Sequence, residues 1–163
     1  MPRLLLPFTH GIDEPAITSA LALTHQRGAT LILLSLLCPR GRSDKQAVRW
    51  EDIQQSTDFL EFTQQKAARL GIPIQRVELR TRHPVQSIRA FAQEMDCEGI
   101  IIFVRRGAGV LLDTHEVKQL LEDRRYPLYL ANLPVSHPWF SLLRCCSGWF
   151  KGSHAEAKNT GIP

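Results

Sequence analysis

The sequence predicts an α/β fold in which a five-stranded parallel sheet carries helices on both faces. Short apolar runs recur along the chain, segments of helical period separate them, and turn-forming residues mark the joins. The first run, Leu4-Leu5-Leu6 closed by Pro7-Phe8, is apolar at consecutive positions, as a strand buried on both faces must be. Asp13 can cap a helix that opens with Glu14-Pro15, places Ile17, Ala20, Leu21 and Thr24 on one face, and stops at Gly28. Leu31 to Leu37 is the second buried strand, and Pro39 to Arg49 a polar, basic loop.

A long helix follows from about Glu51 to Leu70, with Ile53, Leu60, Ala67 and Leu70 inward, Phe59 and Phe62 flanking, and Gly71-Ile72-Pro73 ending it. Ile74 to Leu79 is less apolar and suits a sheet edge. Pro84 opens a third helix with Val85, Ile88, Ala92 and Met95 inward. Gly99 to Val104 is the fourth strand, Asp113 to about Arg124 the fourth helix, and Tyr126 to Leu130 the fifth strand. Residues 1–133 thus form one α/β domain. Residues 134–163 are a tail with an aromatic and cysteine-containing segment and a polar, disordered end.

At 163 residues, 44% hydrophobic and 22% charged, the chain has the make-up of one globular domain. It has no apolar run long enough for a membrane span and no signal-peptide pattern, so a cytoplasmic location is expected. Cys38, Cys97, Cys145 and Cys146 lack metal-ligand spacing and read as reduced thiols. The six histidines form no metal-spaced pair, and no nucleophile elbow or other catalytic constellation is present. The net charge of +4 is too small to signal specific nucleic-acid binding.

In an open parallel sheet, ligands bind beyond the carboxyl ends of the strands, where the strand order reverses. That directs attention to Thr9-His10-Gly11 facing Arg105-Arg106-Gly107-Ala108-Gly109. Arg40, Arg42, Arg80, Arg82, Arg105 and Arg106 all follow strands at this edge. They read either as a rim for an anion or as solvated loop charge. Asp113 and Glu116 have capping-box spacing, and Thr114 could offer its hydroxyl to a phosphate. The candidate ligand residues are Thr9, His10, Arg105, Arg106, Gly107, Gly109 and Thr114.

Over residues 3–133 the chain resembles the universal stress protein family. The resemblance rests on Leu4-Leu5-Leu6-Pro7-Phe8, on Gly28-Ala29-Thr30 leading into Leu31, and on Gly71-Ile72-Pro73-Ile74 with His83-Pro84. Cys97-Glu98-Gly99-Ile100-Ile101-Ile102 and Tyr126-Pro127-Leu128-Tyr129-Leu130 complete it. It implies an adenine nucleotide alpha hydrolase-like sheet ordered 3-2-1-4-5, a homodimer through strand five, and ATP or another nucleotide as a ligand. The ATP-binding branch of the family has an aspartate ending strand one and the pattern G-x2-G-x9-G-[ST] after strand four. Here Thr9 stands for the aspartate and Val104 for the first glycine, while Asp113-Thr114 falls at the final pair after a shortened loop; Gly107 and Thr114 remain as matches.

The function expected is that of a non-enzymatic stress-response or regulatory module. It would act through dimerisation and partner binding, with a nucleotide or other small anion at the strand one/strand four edge. A nucleotide-binding enzyme that hydrolyses ATP or transfers its phosphate is the alternative from another class. A third reading is a membrane-associated regulator of a transporter. The tail segment 138–151, with Trp139, Phe140, Trp149, Phe150, the adjacent cysteines and two basic residues, would there meet a protein or membrane surface; it reads alternatively as a redox or lipidated cysteine pair, or as a segment folded back over the domain.

Overall fold

The computed structural model describes residues 1–39, 48–122 and 126–134. Arg40, Arg42 and the tail segment 138–151 lie outside the described residues. The elements in chain order are β1 (Arg3–Phe8), α1 (Glu14–Arg27), β2 (Thr30–Leu37), α2 (Trp50–Leu70) and β3 (Ile74–Arg80). They continue with α3 (Pro84–Glu94), β4 (Gly99–Arg105), β5 (Ala108–Val110), α4 (Thr114–Glu122) and β6 (Leu128–Asn132).

Parallel pairing joins β3 to β2, β2 to β1, β1 to β4 and β4 to β6. The expected order 3-2-1-4-5 therefore holds, with β6 as the fifth parallel strand. The strand count needs correcting, because β5 is a sixth strand and is antiparallel to β4. Ile100 pairs with β1 on one side and with β6 on the other, and β4 carries β6 and β5 on opposite edges. So β5 lies on the β1 side, filling the gap where β1 ends and β4 runs on.

Side-chain alternation sends the buried strand residues into two cores. Leu4, Leu6, Phe8, Leu31, Leu33, Ile101 and Phe103 pack beneath α1 and α2. Leu5, Ile32, Leu34, Leu36, Ile100 and Ile102 pack beneath α3 and α4. On α2 the buried face is Ser56, Phe59, Leu60, Thr63 and Ala67. Phe59 is thus central rather than flanking, stacked on Phe8 at 4.2 Å between ring centroids. Leu70, expected inward, is 53% exposed, because it falls in the last turn just before the left-handed Gly71 cap. The last strand begins two residues later than expected. Pro127 lies ahead of it and offers only its carbonyl, which accepts from the Ile100 amide. No helix among the described residues is long and apolar enough to cross a membrane.

Candidate functional site

The segment Arg105 to Gly109, which holds the candidates Arg105, Arg106, Gly107 and Gly109, is a two-residue hairpin. Arg105 pairs with Ala108 across a turn in which Arg106 (φ 52°) and Gly107 (φ 79°) are both left-handed. Positive φ at both central residues is the turn that matches strand twist, so Gly107 serves chain reversal. Gly109 is needed for a different reason. A Cβ there would press on the Leu112 carbonyl oxygen, because β5 meets the start of α4 at close range. The hairpin also closes the β1/β4 crevice: the Leu111 carbonyl accepts from the amides of Thr9 (2.8 Å) and His10 (3.4 Å).

Arg105 is turned away from the opening. Its guanidinium donates to both carboxylate oxygens of Asp13, at 2.6 and 3.1 Å. Asp13 is also the N-cap of α1, accepting from the Ala16 amide at 3.0 Å. Burial pushes the Asp13 carboxyl upward, but the Arg105 hydrogen bonds, the Ala16 amide and the arginine's charge together hold it below its ordinary value. Arg106 is exposed at the hairpin tip, and the Thr114 hydroxyl accepts from the Gly109 amide at 3.0 Å.

The cavity at this edge lies instead on the α3/α4 side of the sheet and has a volume of about 510 Å³. Thr9 and His10 from the end of β1 line it, as do Leu36 and Cys38 from the end of β2 and Asp52 from the first turn of α2. The β3–α3 junction contributes Arg82, His83, Pro84, Val85 and Gln86, and the α4 side contributes Asp113, His115, Glu116 and Gln119. Of the seven candidates from sequence, Thr9 and His10 border the cavity; Arg105, Arg106, Gly107, Gly109 and Thr114 do not.

Two helix N-termini open here, and they differ. At α4, Glu116 Oε2 accepts from the Asp113 amide at 2.8 Å, and Asp113 Oδ1 accepts from the His115 amide at 2.8 Å. The same Glu116 oxygen accepts from the Thr9 hydroxyl at 2.8 Å, so the chain's own carboxylate takes the place an anion would want. At α3 the N-cap is His83, whose side chain makes no cap hydrogen bond, while its amide donates to the Thr81 hydroxyl at 3.0 Å. The charge lining is three carboxylates (Asp52, Asp113, Glu116) against Arg82, with three histidines. Asp52 Oδ2 is buried with no hydrogen-bond partner among the described residues. No group of three or more His, Cys, Asp or Glu among the described residues is placed to hold a metal ion. Of the free cysteines, Cys38 borders the cavity and Cys97 lies apart, its thiol pushed up by burial.

A doubly wound sheet with a crevice at its carboxyl edge defines the class of open α/β ligand-binding modules. Within that class the model of the universal stress protein family matches residues 3–114, and the chain belongs to that family. No curated protein matches it in sequence. Among solved structures, a universal stress protein from Archaeoglobus fulgidus aligns with a TM-score of 0.63 at 19% identity, covering 80% of this chain and 93% of its own. The universal stress protein of that organism in complex with dAMP gives 0.60 at 19% identity, covering 80% and 96%. An Arabidopsis thaliana member with AMP bound gives 0.56 at 12% identity, covering 83% and 94%. The alignments account for nearly all of each relative but leave part of this chain outside the shared fold.

Proposed function

We propose that the chain is a non-enzymatic stress-response module whose edge cavity takes an adenine nucleotide of the monophosphate class, AMP or a deoxy or cyclic relative, in preference to ATP. One observation carries this reading: Glu116 occupies the N-terminus of α4 and holds both the Asp113 amide and the Thr9 hydroxyl. A triphosphate reaching that helix would meet two carboxylates, and like charges in a half-dry site repel strongly. A single phosphate has another seat, beside Arg82 at the start of α3, where the His83 side chain makes no cap hydrogen bond. Leu36, Val85 and Pro84 supply apolar wall for a base, and Asp52 supplies an acceptor for an amine or hydroxyl. Relatives of the same fold solved with dAMP and AMP support the choice of ligand class.

The module acts through a homodimer formed at β6, which pairs only with β4 among the described residues and whose Leu130 is 51% exposed. Thermal unfolding tests the ligand. AMP at ten times its Kd is expected to add about 1.4 kcal/mol, a rise of a few degrees in Tm, with ATP giving less at equal concentration and no phosphate release. A larger shift with ATP, or none with any adenine nucleotide at millimolar concentration, refutes the proposal.

A further inference from the structure

We propose that residues 138–151 of this same chain dock in an apolar groove between α1 and β6. The groove has a volume of about 440 Å³ and is walled by Ser19 and Leu23 of α1, with Ile101 and Phe103 of β4 beneath and Tyr129 and Ala131 of β6 opposite. The Tyr129 ring in this wall carries the Arg27 guanidinium at 4.8 Å. This surface differs from the nucleotide cavity, which lies at the carboxyl edge on the α3/α4 side. It also differs from the backbone edge of β6, since the groove floor is made of side chains reaching toward α1.

The chain itself supplies an occupant. It leaves β6 through Leu133, buried in the α1/α2 core, and Pro134. Within the next seventeen residues come Trp139, Phe140, Leu142, Leu143, Trp149 and Phe150. From Pro134 to Pro138 the backbone spans at most about 14 Å, enough to turn and run back beside the five residues of β6. A tether this short raises the local concentration of the segment to about the millimolar range, so it outcompetes a free partner of equal affinity. The segment lies beyond residues 3–114, the part of the chain that the family model matches.

Trp50 is 72% exposed and can be removed as Trp50→Phe, leaving Trp139 and Trp149 as reporters in the full chain. Docking predicts blue-shifted emission and acrylamide quenching roughly threefold weaker than in a free 135–151 peptide, because burial shields the indoles. Leu23→Asp and, independently, Ser19→Arg in that background are expected to red-shift the emission and restore peptide-like quenching while circular dichroism stays native. Peptide-like quenching in the parent protein overturns the proposal. So does native-like shielding in both folded variants, shielding lost on dilution (a second copy as occupant), or shielding gained only with phosphatidylcholine/phosphatidylserine vesicles (a membrane as occupant).

Discussion

Asp13→Ala is expected to destabilise the domain by roughly 3 kcal/mol, with about 1 from the lost cap of α1 and the remainder from leaving the partly buried Arg105 without its acceptor. Asp13 holds the Ala16 amide with one oxygen and the Arg105 guanidinium with both, tying the start of α1 to the end of β4. Arg105 Nε is already buried without a partner among the described residues, so removing the carboxylate leaves the guanidinium without the acceptor it has in Asp13. Asp13→Asn separates the contributions, since the amide oxygen still caps α1 while the ion pair is gone. The pH dependence has a definite sign. The Asp13 carboxyl lies below its ordinary value in the fold, so the unfolded chain binds the proton more readily. The stability it contributes is therefore complete above the unfolded value of about 3.9 and is lost as pH falls through the lower, folded value. Urea unfolding should show the gap between wild type and Asp13→Asn at full size near neutral pH and closing only in strong acid. A gap that grows on acidification would contradict the assignment.

The same pair shows what could be read in advance. Asp13 was legible as a helix cap because capping is local, settled within three residues. That Arg105 would be its partner was not, since the two are brought together only by the β1–β4 pairing. Buried strands announced themselves because parallel strands covered on both faces leave no polar positions, as in Leu4 to Leu6 and Ile100 to Phe103. The hairpin was hidden for a chemical reason. Gly107 and Gly109 suit a phosphate loop and a tight turn equally, and what decides is the amides of Thr9 and His10, a hundred residues away in sequence, reaching the Leu111 carbonyl. The Thr9-His10 side of the expected edge borders the cavity, and the Arg105–Gly109 side does not. His83-Pro84 was read as a helix opening and as part of the family resemblance, and its place with Arg82 and Gln86 in the cavity lining was not foreseen. Residues that line a cavity by convergence of four loops carry no mark of it in their spacing.

Glu116→Gln is expected to strengthen AMP binding about tenfold and ATP binding more. A neutral amide still fits the capping box and can accept from the Thr9 hydroxyl, so the architecture of the α4 start survives the change. What disappears is one negative charge at the mouth of the cavity. For unit charges about 6 Å apart at an effective dielectric of roughly 40, that repulsion is about 1.4 kcal/mol, a factor of ten in Kd. ATP carries more charge toward the same helix and so gains more, and the preference for AMP should narrow. The weaker dipole interaction at α4 costs only about 0.3–1 kcal/mol of stability, small enough to leave the fold intact. Glu94→Gln, the same charge change on an exposed position at the end of α3, is the control and should leave both affinities within a factor of two or so, as screened surface charge does. Titration calorimetry at fixed ionic strength measures all three. If Glu116→Gln and Glu94→Gln behave alike, the carboxylate at α4 is a cap alone, and the preference for a monophosphate would need a different origin in the cavity.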